Sequence, residues 1–326
     1  DRPAVFVLPG ILGSHLKAHD KRIWLSLRLI GGLSRLKYLP GGADGVQADG
    51  PIGLIYDDLM DHLAQTHEVI PFSFDWRRPI EEEARRLADA VDAALDARNG
   101  SGQPVRIVAH SMGGVLTRTL QLERPKTFDR LMSRSGARVL MLGTPNGGSW
   151  APMQCLSGDD TFGNVLANFG SPLRDKAARQ LMAEFPGFLQ LQAGLLDPQL
   201  SLDKAETWAR LAREDLKRVQ DNNWWHRYEG ADGDNATDAA YEWGLPPQHV
   251  LQQARALRER LDQQRDTVLK TYADRMLLVV GRAKFTPDGF DSGNDGFAYL
   301  NATDGGDGRV PLGCALLPGV RTWQLD

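Results

Sequence analysis

Pro104-Val-Arg-Ile-Val-Ala-His-Ser-Met-Gly-Gly-Val115 decides how the rest of the chain is read. Val105, Ile107, Val108 and Ala109 make the short apolar run that a buried parallel strand needs. His110-Ser111-Met112 follows, then two glycines, then Val115, Leu116, Leu120 and Leu122, whose spacing predicts a helix. A strand that turns sharply into a helix with Ser at the turn is a nucleophile elbow. Small residues two before and two after the Ser permit that turn, because Cβ atoms there would crowd the neighbouring strand and helix. The usual pattern is G-x-S-x-G. Here it is Ala109-His110-Ser111-Met112-Gly113, with one methyl group added at the first position. A Ser at an ordinary strand-to-helix turn is the plainer alternative; the coincidence of strand, elbow and helix favours the catalytic one.

With 326 residues, 42% of them hydrophobic and 25% charged, the chain can bury a large core and carry an insertion. A net charge of −4 offers no broad basic surface for nucleic acid. Cys155 and Cys314 make no metal or disulfide framework and read as free thiols of a reducing compartment. No apolar run approaches the ~20 residues that span a bilayer. A chain that begins at Asp1 reads as part of a larger polypeptide, and its compartment is not legible from such a start.

Ala4 to Leu8 is a second buried strand, and Pro9-Gly10-Ile11-Leu12-Gly13-Ser14 is a flexible turn directly after it. Such a turn can supply one backbone N–H of an oxyanion hole, the other coming from the residue after the nucleophile, which assigns the pair to Ile11 and Met112. Residues 21 to 60 read as an irregular excursion ending in a helix near 56 to 64. A strand within 68–74 leads to Asp75-Trp-Arg-Arg-Pro79, then a helix over 81–98 with acidic residues at its positive end. Strand, helix, and strand with Ser form a βαβ unit and imply a parallel sheet. Arg138 to Leu142 is the next strand, followed by the Gly-rich loop 143–149, expected beside Ser111 because ligands bind at the carboxyl ends of parallel strands. That loop lacks phosphate-loop spacing.

From 151 to 272 the pattern is helical, with stripes over 201–220 and 247–272. An all-helical insertion after a core strand predicts a lid or cap, which can gate access and touch a membrane peripherally. Trp150, Trp208, Trp224, Trp225 and Trp243 either line an acyl pocket or pack the cap's own core. Met276 to Val280 returns to the sheet, and 320–325 reads as a last strand. The core is thus expected over 1–150 and 273–326, and the cap over 151–272.

A Ser nucleophile needs a base, and an acid to hold that base, in the chain order Ser, acid, His. Asp307, with Gly306 and Gly308 on either side, stands in a loop after a late strand. Asp304 is the rival, and Asp304 and Asp307 could instead hold a cation together with Asp288, Asp291 and Asp295, although no EF-hand spacing is present. The histidines are at 15, 19, 62, 67, 110, 226 and 249, none after Asp307. The base is therefore expected beyond Asp326, soon after the last strand; His15, His226 or His249 is the alternative.

Leu8-Pro-Gly-Ile-Leu-Gly-Ser14, Ile23-Trp-Leu25, Phe74-Asp-Trp-Arg77, Ala109-His-Ser-Met-Gly113 and Gly306-Asp-Gly-Arg-Val-Pro311 together resemble the lecithin–cholesterol acyltransferase branch of the α/β-hydrolases. Gly143-Thr-Pro-Asn-Gly-Gly148 looks more like GPI-inositol deacylase-like lipases, and Phe185-Pro-Gly-Phe-Leu-Gln190 is similar to a stretch in the caps of such lipases. Arg309 stands where the family usually has Thr. The resemblance implies an α/β-hydrolase fold with a helical cap, and Ser111 as nucleophile with Asp307 as acid. It also implies oxyanion donors at Ile11 and Met112, supported by Gly10, His110 and Gly113, an acyl ester or lipid as substrate, and no cofactor or metal. A hydrolase-shaped recognition domain that has lost its chemistry is the alternative function.

Overall fold

Four short apolar runs, each followed by a turn, become neighbouring parallel strands because both faces at the middle of a parallel sheet are covered and must be apolar. The computed structural model describes residues 2–24, 33–158, 176–221, 243–293 and 296–325. Its strands are β1 (Ala4–Leu8), β2 (Ser14–Ala18), β3 (Lys21–Trp24), β4 (Val46–Pro51), β5 (Glu68–Pro71) and β6 (Val105–His110). They continue with β7 (Val139–Leu142), β8 (Met276–Gly281), β9 (Pro287–Gly293), β10 (Gly296–Asn301) and β11 (Arg321–Leu325). The helices are α1 (Gly53–Ala64), α2 (Ile80–Asp96), α3 (Met112–Glu123), α4 (Pro125–Ser133) and α5 (Ala151–Ser157). After them come α6 (Lys176–Ala183), α7 (Pro186–Leu189), α8 (Ala205–Asp221), α9 (Gln248–Asp266) and α10 (Leu312–Ala315).

The main sheet has the order β11-β8-β7-β6-β1-β5, and every neighbouring pair in it is parallel. From β1 the chain steps to β5 on one side, and from β6 it winds outward on the other. The strand order therefore reverses between β1 and β6, where an open α/β sheet leaves a crevice at its carboxyl end. The turn after β1 and the elbow after β6 both lie at that crevice. β1 is buried at every position, as its unbroken apolar sequence requires.

Part of the segment expected to be irregular is regular, and a hairpin forms where no strand was assigned. β3 and β4 pair antiparallel on either side of β2 in a separate three-stranded sheet. The Asp- and Gly-rich stretch before Asp307 folds as the β9–β10 hairpin, with Phe290 stacked on Phe297 at 5.1 Å. Alternating side chains on that hairpin face the protein: Trp243 meets Phe297 edge-on at 5.0 Å, and Trp150 meets Phe290 at 5.9 Å. Trp208 packs edge-on against Trp243. These three tryptophans are buried in packing contacts, two of them with the β9–β10 hairpin and not within residues 151–272 alone. Trp224, Trp225 and His226 lie outside the described residues.

The helical stripe expected over 247–272 ends at Asp266 and passes into a 3-10 helix, Val268–Arg275. α9 lies against the elbow helix α3: Arg118 donates from Nε to Gln264 Oε1 at 3.0 Å, and Gln264 Nε2 donates to the Arg118 carbonyl at 2.8 Å. One apolar cluster runs from the strands into residues of α7, α8 and α9. No helix of the described residues is long and apolar enough to cross a membrane.

The Asp75-Trp-Arg-Arg turn is tied by a buried ion pair. Arg77 is fully buried and meets Asp75 side-on, Nε to Oδ1 at 2.9 Å and Nη2 to Oδ2 at 2.6 Å. Its remaining donors reach Asp44 Oδ2 at 3.1 Å and the carbonyls of Leu36 and Lys37 at 2.9 and 3.2 Å. Every donor of the guanidinium is thus used, which is the condition for such a charge to be tolerated in a core. The same turn receives α7: the Gly187 N–H donates to Arg77 O at 3.1 Å, and Gln190 Oε1 accepts the Ile80 N–H at 2.7 Å. Arg77→Met removes the ion-pair partner of buried Asp44 and the side-on partner of Asp75, which keeps only Arg78 at 3.4 Å. It should cost about 3–5 kcal/mol of stability, measured by urea denaturation; a loss below about 1 kcal/mol contradicts this account.

Candidate active site

Ser111 has φ 50° and ψ −118°, a conformation that a residue with a side chain avoids. The surroundings impose it. The Ser111 N–H donates to Leu142 O on β7 at 2.8 Å, and the next residue starts α3. A Cβ on Gly113 would lie 2.8 Å from Leu8 Cβ and 2.8 Å from Pro9 O, and one on Gly114 would collide with the Thr144 side chain. Both glycines are therefore dictated by how closely α3 approaches β1 and the loop after β7. Ala109 is fully buried, and its single methyl group fits there. Ser111 itself is partly exposed, and no hydrogen bond within the described residues occupies its hydroxyl.

The turn after β1 touches the elbow. A Cβ on Gly10 would be 3.0 Å from His110 Nδ1 and 3.1 Å from Ser111 Cβ, so only a glycine lets the two loops meet. The turn closes with the Gly13 N–H donating to Gly10 O at 3.0 Å, and Leu12 takes φ 62°. Trp24 Nε1 donates to Leu12 O at 2.9 Å and anchors the turn from β3. The Ile11 and Met112 N–H groups, assigned to the oxyanion hole from sequence, take part in no hydrogen bond within the described residues.

Tyr56 is a part that the sequence reading missed. Its buried hydroxyl accepts the Gly10 N–H at 2.8 Å and lies 2.8 Å from His110 Nδ1. Burial pushes the phenol above its ordinary pKa, so it keeps its proton and can donate it to Nδ1. One side chain thereby ties the oxyanion turn to the elbow. The available signal was weak: Tyr56 is the one buried residue of α1, between exposed Ile55 and exposed Asp57.

Asp307 lies where the acid was expected. Its Oδ1 accepts the N–H groups of Arg309 and Val310 at 2.9 and 2.7 Å, which fixes the carboxylate. A Cβ on Gly143 would be 3.2 Å from Oδ2, and one on Gly281 would be 3.1 Å from Asp307 Cβ. Oδ2 has no hydrogen-bond partner among the described residues. The rival Asp304 is exposed. Asp295 lies outside the described residues, and among those described no three His, Cys, Asp or Glu side chains group so as to hold a metal.

None of the described histidines bridges Asp307 and Ser111. His15 Nδ1 lies 3.4 Å from Trp24 O, His67 sits with Arg106 and Thr66, and His19, His62 and His249 are exposed. His110 has its Nδ1 at Tyr56. Its ring meets solvent, yet the protein around it desolvates the charged form and lowers its pKa, while Asp307 pulls in the other direction. β11 runs parallel to β8 with Leu325 beside Gly281, so its carboxyl end lies on the Asp307 side of the sheet.

The order of the parallel strands and the strained Ser111 turn between β6 and α3 are those of an α/β-hydrolase. The sequence model of the lecithin:cholesterol acyltransferase family matches residues 16–223, and the chain belongs to that family. Over 231 residues, 66% of this chain, it is 26% identical to a protein from Aromatoleum aromaticum (strain DSM 19018 / LMG 30748 / EbN1) called tRNA modification GTPase MnmE. The match covers 48% of that protein, so the chain spans about half the length of the curated relative it matches. A GTPase phosphate loop needs Gly-Lys, and that dipeptide does not occur in this chain. The mature form of a Bacillus licheniformis lipase, BlEst2, gives a TM-score of 0.38 at 12% identity, over 100% of this chain and 82% of that one. Phospholipase PlaB of Legionella pneumophila gives 0.31 at 17%, over 63% and 35%. Likeness at that level is too loose to argue from; the fold assignment rests on strand order and the family match.

The lowered pKa of His110 has a consequence for stability. A histidine whose folded pKa lies below its unfolded value of 6.5 adds stability that is complete above 6.5. It is lost as pH falls from 6.5 toward the folded value. NMR titration of the wild-type ring should give a pKa below 6.5. In Tyr56→Phe, which removes the hydroxyl that favours the neutral ring, the value should rise; an unchanged value refutes the Tyr56 link.

Proposed function

We propose that this chain carries the nucleophile, the acid and the oxyanion donors of a serine acyl-transfer enzyme acting on lipid acyl esters. The observation that supports this most is the strained backbone of Ser111 in contact with the glycine turn after β1. In this reading Ser111 Oγ attacks the ester carbonyl, and the carbonyl oxygen, now anionic, accepts from the Ile11 and Met112 N–H groups. Collapse expels the alcohol and leaves an acyl-Ser111 ester, which water or a second alcohol resolves.

A base must take the Ser111 proton and pass it to the departing alkoxide, with its other nitrogen held by an acid. Asp307 Oδ2 is the acceptor for that second nitrogen. We place the base at Asp307 Oδ2, on the side of Ser111. A lipid substrate is favoured by family membership and by Leu54 and Ile55, 89% and 53% exposed on α1 next to Tyr56, as an apolar tip beside the site. Residues 151–272 would then govern which acyl chains enter.

A fluorophosphonate probe should label Ser111, and Ser111→Ala should abolish both labelling and p-nitrophenyl ester turnover. Full turnover in that variant sinks the proposal. Where the base position is open, added imidazole should accelerate turnover by the wild-type chain well beyond its effect on Ser111→Ala. Equal increments for the two proteins place the base among the chain's own seven histidines. In a polypeptide that holds its base, Asp307→Asn should lower kcat by about 10⁴-fold, as loss of the orienting acid does in serine proteases.

A further inference from the structure

The first turn of α1 holds the turn after β1 at both of its ends. The Ile52 N–H, just before α1, donates to Gly13 O at 2.9 Å, and the Tyr56 hydroxyl accepts the Gly10 N–H at 2.8 Å. The Tyr56 N–H donates to Ile52 O at 3.3 Å, which joins the two contacts through one turn of helix. Ile11 and Leu12 lie between them, and Trp24 Nε1 holds Leu12 O. Gly10 and Gly13 are buried. A Cβ on Gly13 would lie 2.9 Å from the Tyr56 hydroxyl, so the phenol reaches into the turn only because a glycine stands there. The Gly10 and Gly13 N–H groups are thus engaged, whereas the Ile11 N–H has no hydrogen-bond partner among the described residues.

Burial keeps the proton on the phenol, and the acceptor in reach of it is Nδ1 of His110, the residue before Ser111, at 2.8 Å. One hydroxyl therefore accepts from the oxyanion turn and donates to the elbow, the two loops whose mutual position an oxyanion hole requires. Phenylalanine at 56 keeps the ring and its packing but leaves a buried Gly10 N–H without an acceptor. Such a group costs about 1–3 kcal/mol unless it finds another partner. Turning the Pro9–Gly10 peptide to find one moves the Ile11 N–H with it.

We propose that Tyr56 is a positioning residue for acyl transfer, holding the Ile11 N–H in place beside Ser111 through Gly10 and His110. It touches neither the substrate nor the reacting atoms. The assignment rests on the acyl-transfer reading above, in which Ser111 Oγ adds to the ester carbon and the negative charge falls on the former carbonyl oxygen. One donor aimed at that oxygen is worth about 10²–10³ in rate, and a donor displaced by about 1 Å forfeits much of it.

Turnover of a p-nitrophenyl ester is compared with that of its thionoester, which carries C=S in place of C=O, using the full chain with imidazole present throughout. A sulfur anion accepts hydrogen bonds weakly, so the preference for the oxygen ester measures the oxyanion hole. The ratio of the two kcat/KM values does not depend on how much of the protein is folded. In Tyr56→Phe the oxygen ester should lose about 10²-fold in kcat/KM, and the oxygen-over-sulfur ratio should fall at least about tenfold. Equal losses for the two substrates mean a purely structural role and overturn the proposal. A second readout needs no turnover: hydrogen exchange at the Gly10 amide, followed by NMR, should quicken at least about tenfold in Tyr56→Phe while the Phe6, Val7 and Leu8 amides keep their rates. Unchanged exchange at Gly10 overturns the proposal as well. Ser111→Ala is assayed alongside. Full turnover there refutes the acyl-transfer reading itself, whereas an inactive Ser111→Ala with an unchanged ratio in Tyr56→Phe refutes the Tyr56 assignment alone.

Discussion

The positive φ of Ser111 is the constraint on which the rest of this site depends. Such a conformation costs about 1–3 kcal/mol and persists only where neighbours over-determine it. Here β6 delivers the chain, a hydrogen bond to Leu142 holds the Ser111 amide, and α3 departs at once. α3 can lie that close to β1 only because Gly113 and Gly114 present no side chain to Leu8, Pro9 and Thr144. The strain is returned as geometry: a hydroxyl at the crevice where the strand order reverses, and a free Met112 N–H beside it.

Around the elbow the protein uses a few buried polar side chains as fasteners, each joining segments far apart in sequence. Tyr56 links α1, the oxyanion turn and His110. Trp24 reaches from β3 to Leu12, and Arg77 gathers Asp44, Asp75 and the 36–37 backbone. The Phe185-Pro-Gly-Phe-Leu-Gln190 stretch docks on that same turn, with Phe185 edge-on to Trp76 at 5.8 Å. Movement of α7 would therefore be felt through Trp76 and Trp24 at the oxyanion turn, since packed interiors transmit displacement.

Arg77 and Arg258 show two fates of a buried guanidinium. Arg77 is neutralised within its own turn and serves folding. Arg258 keeps two buried donors without a hydrogen-bond partner, and Asp262 on the same helix favours its charged form.

Much of the core was legible because its signals are local. An apolar run of four to six residues between turn formers has few conformations other than a buried strand, so β1, β6, β7 and β8 fall where the sequence places them; the more polar edge strands β5 and β11 lie within the expected ranges too, but exposed. The elbow was legible for the same reason, its small residues, Ser and helix stripe being contiguous, whereas the expectation for Asp307 came from chain order. The sheet β2–β3–β4, the hairpin β9–β10 and the side of α9 that meets α3 were not legible. Their strands are short and mixed in polarity, and α9's apolar stripe is compatible with a cap or with the core. Tyr56 to His110, Arg77 to Asp44, and Arg258 to Asn146 were invisible in principle, because residues 33 to 112 positions apart are brought together only by packing. By itself, then, the sequence determined which residue types could do chemistry and in what order. Tertiary structure alone decided which of them share a crevice, because contact between distant segments depends on the closeness with which strands and helices pack.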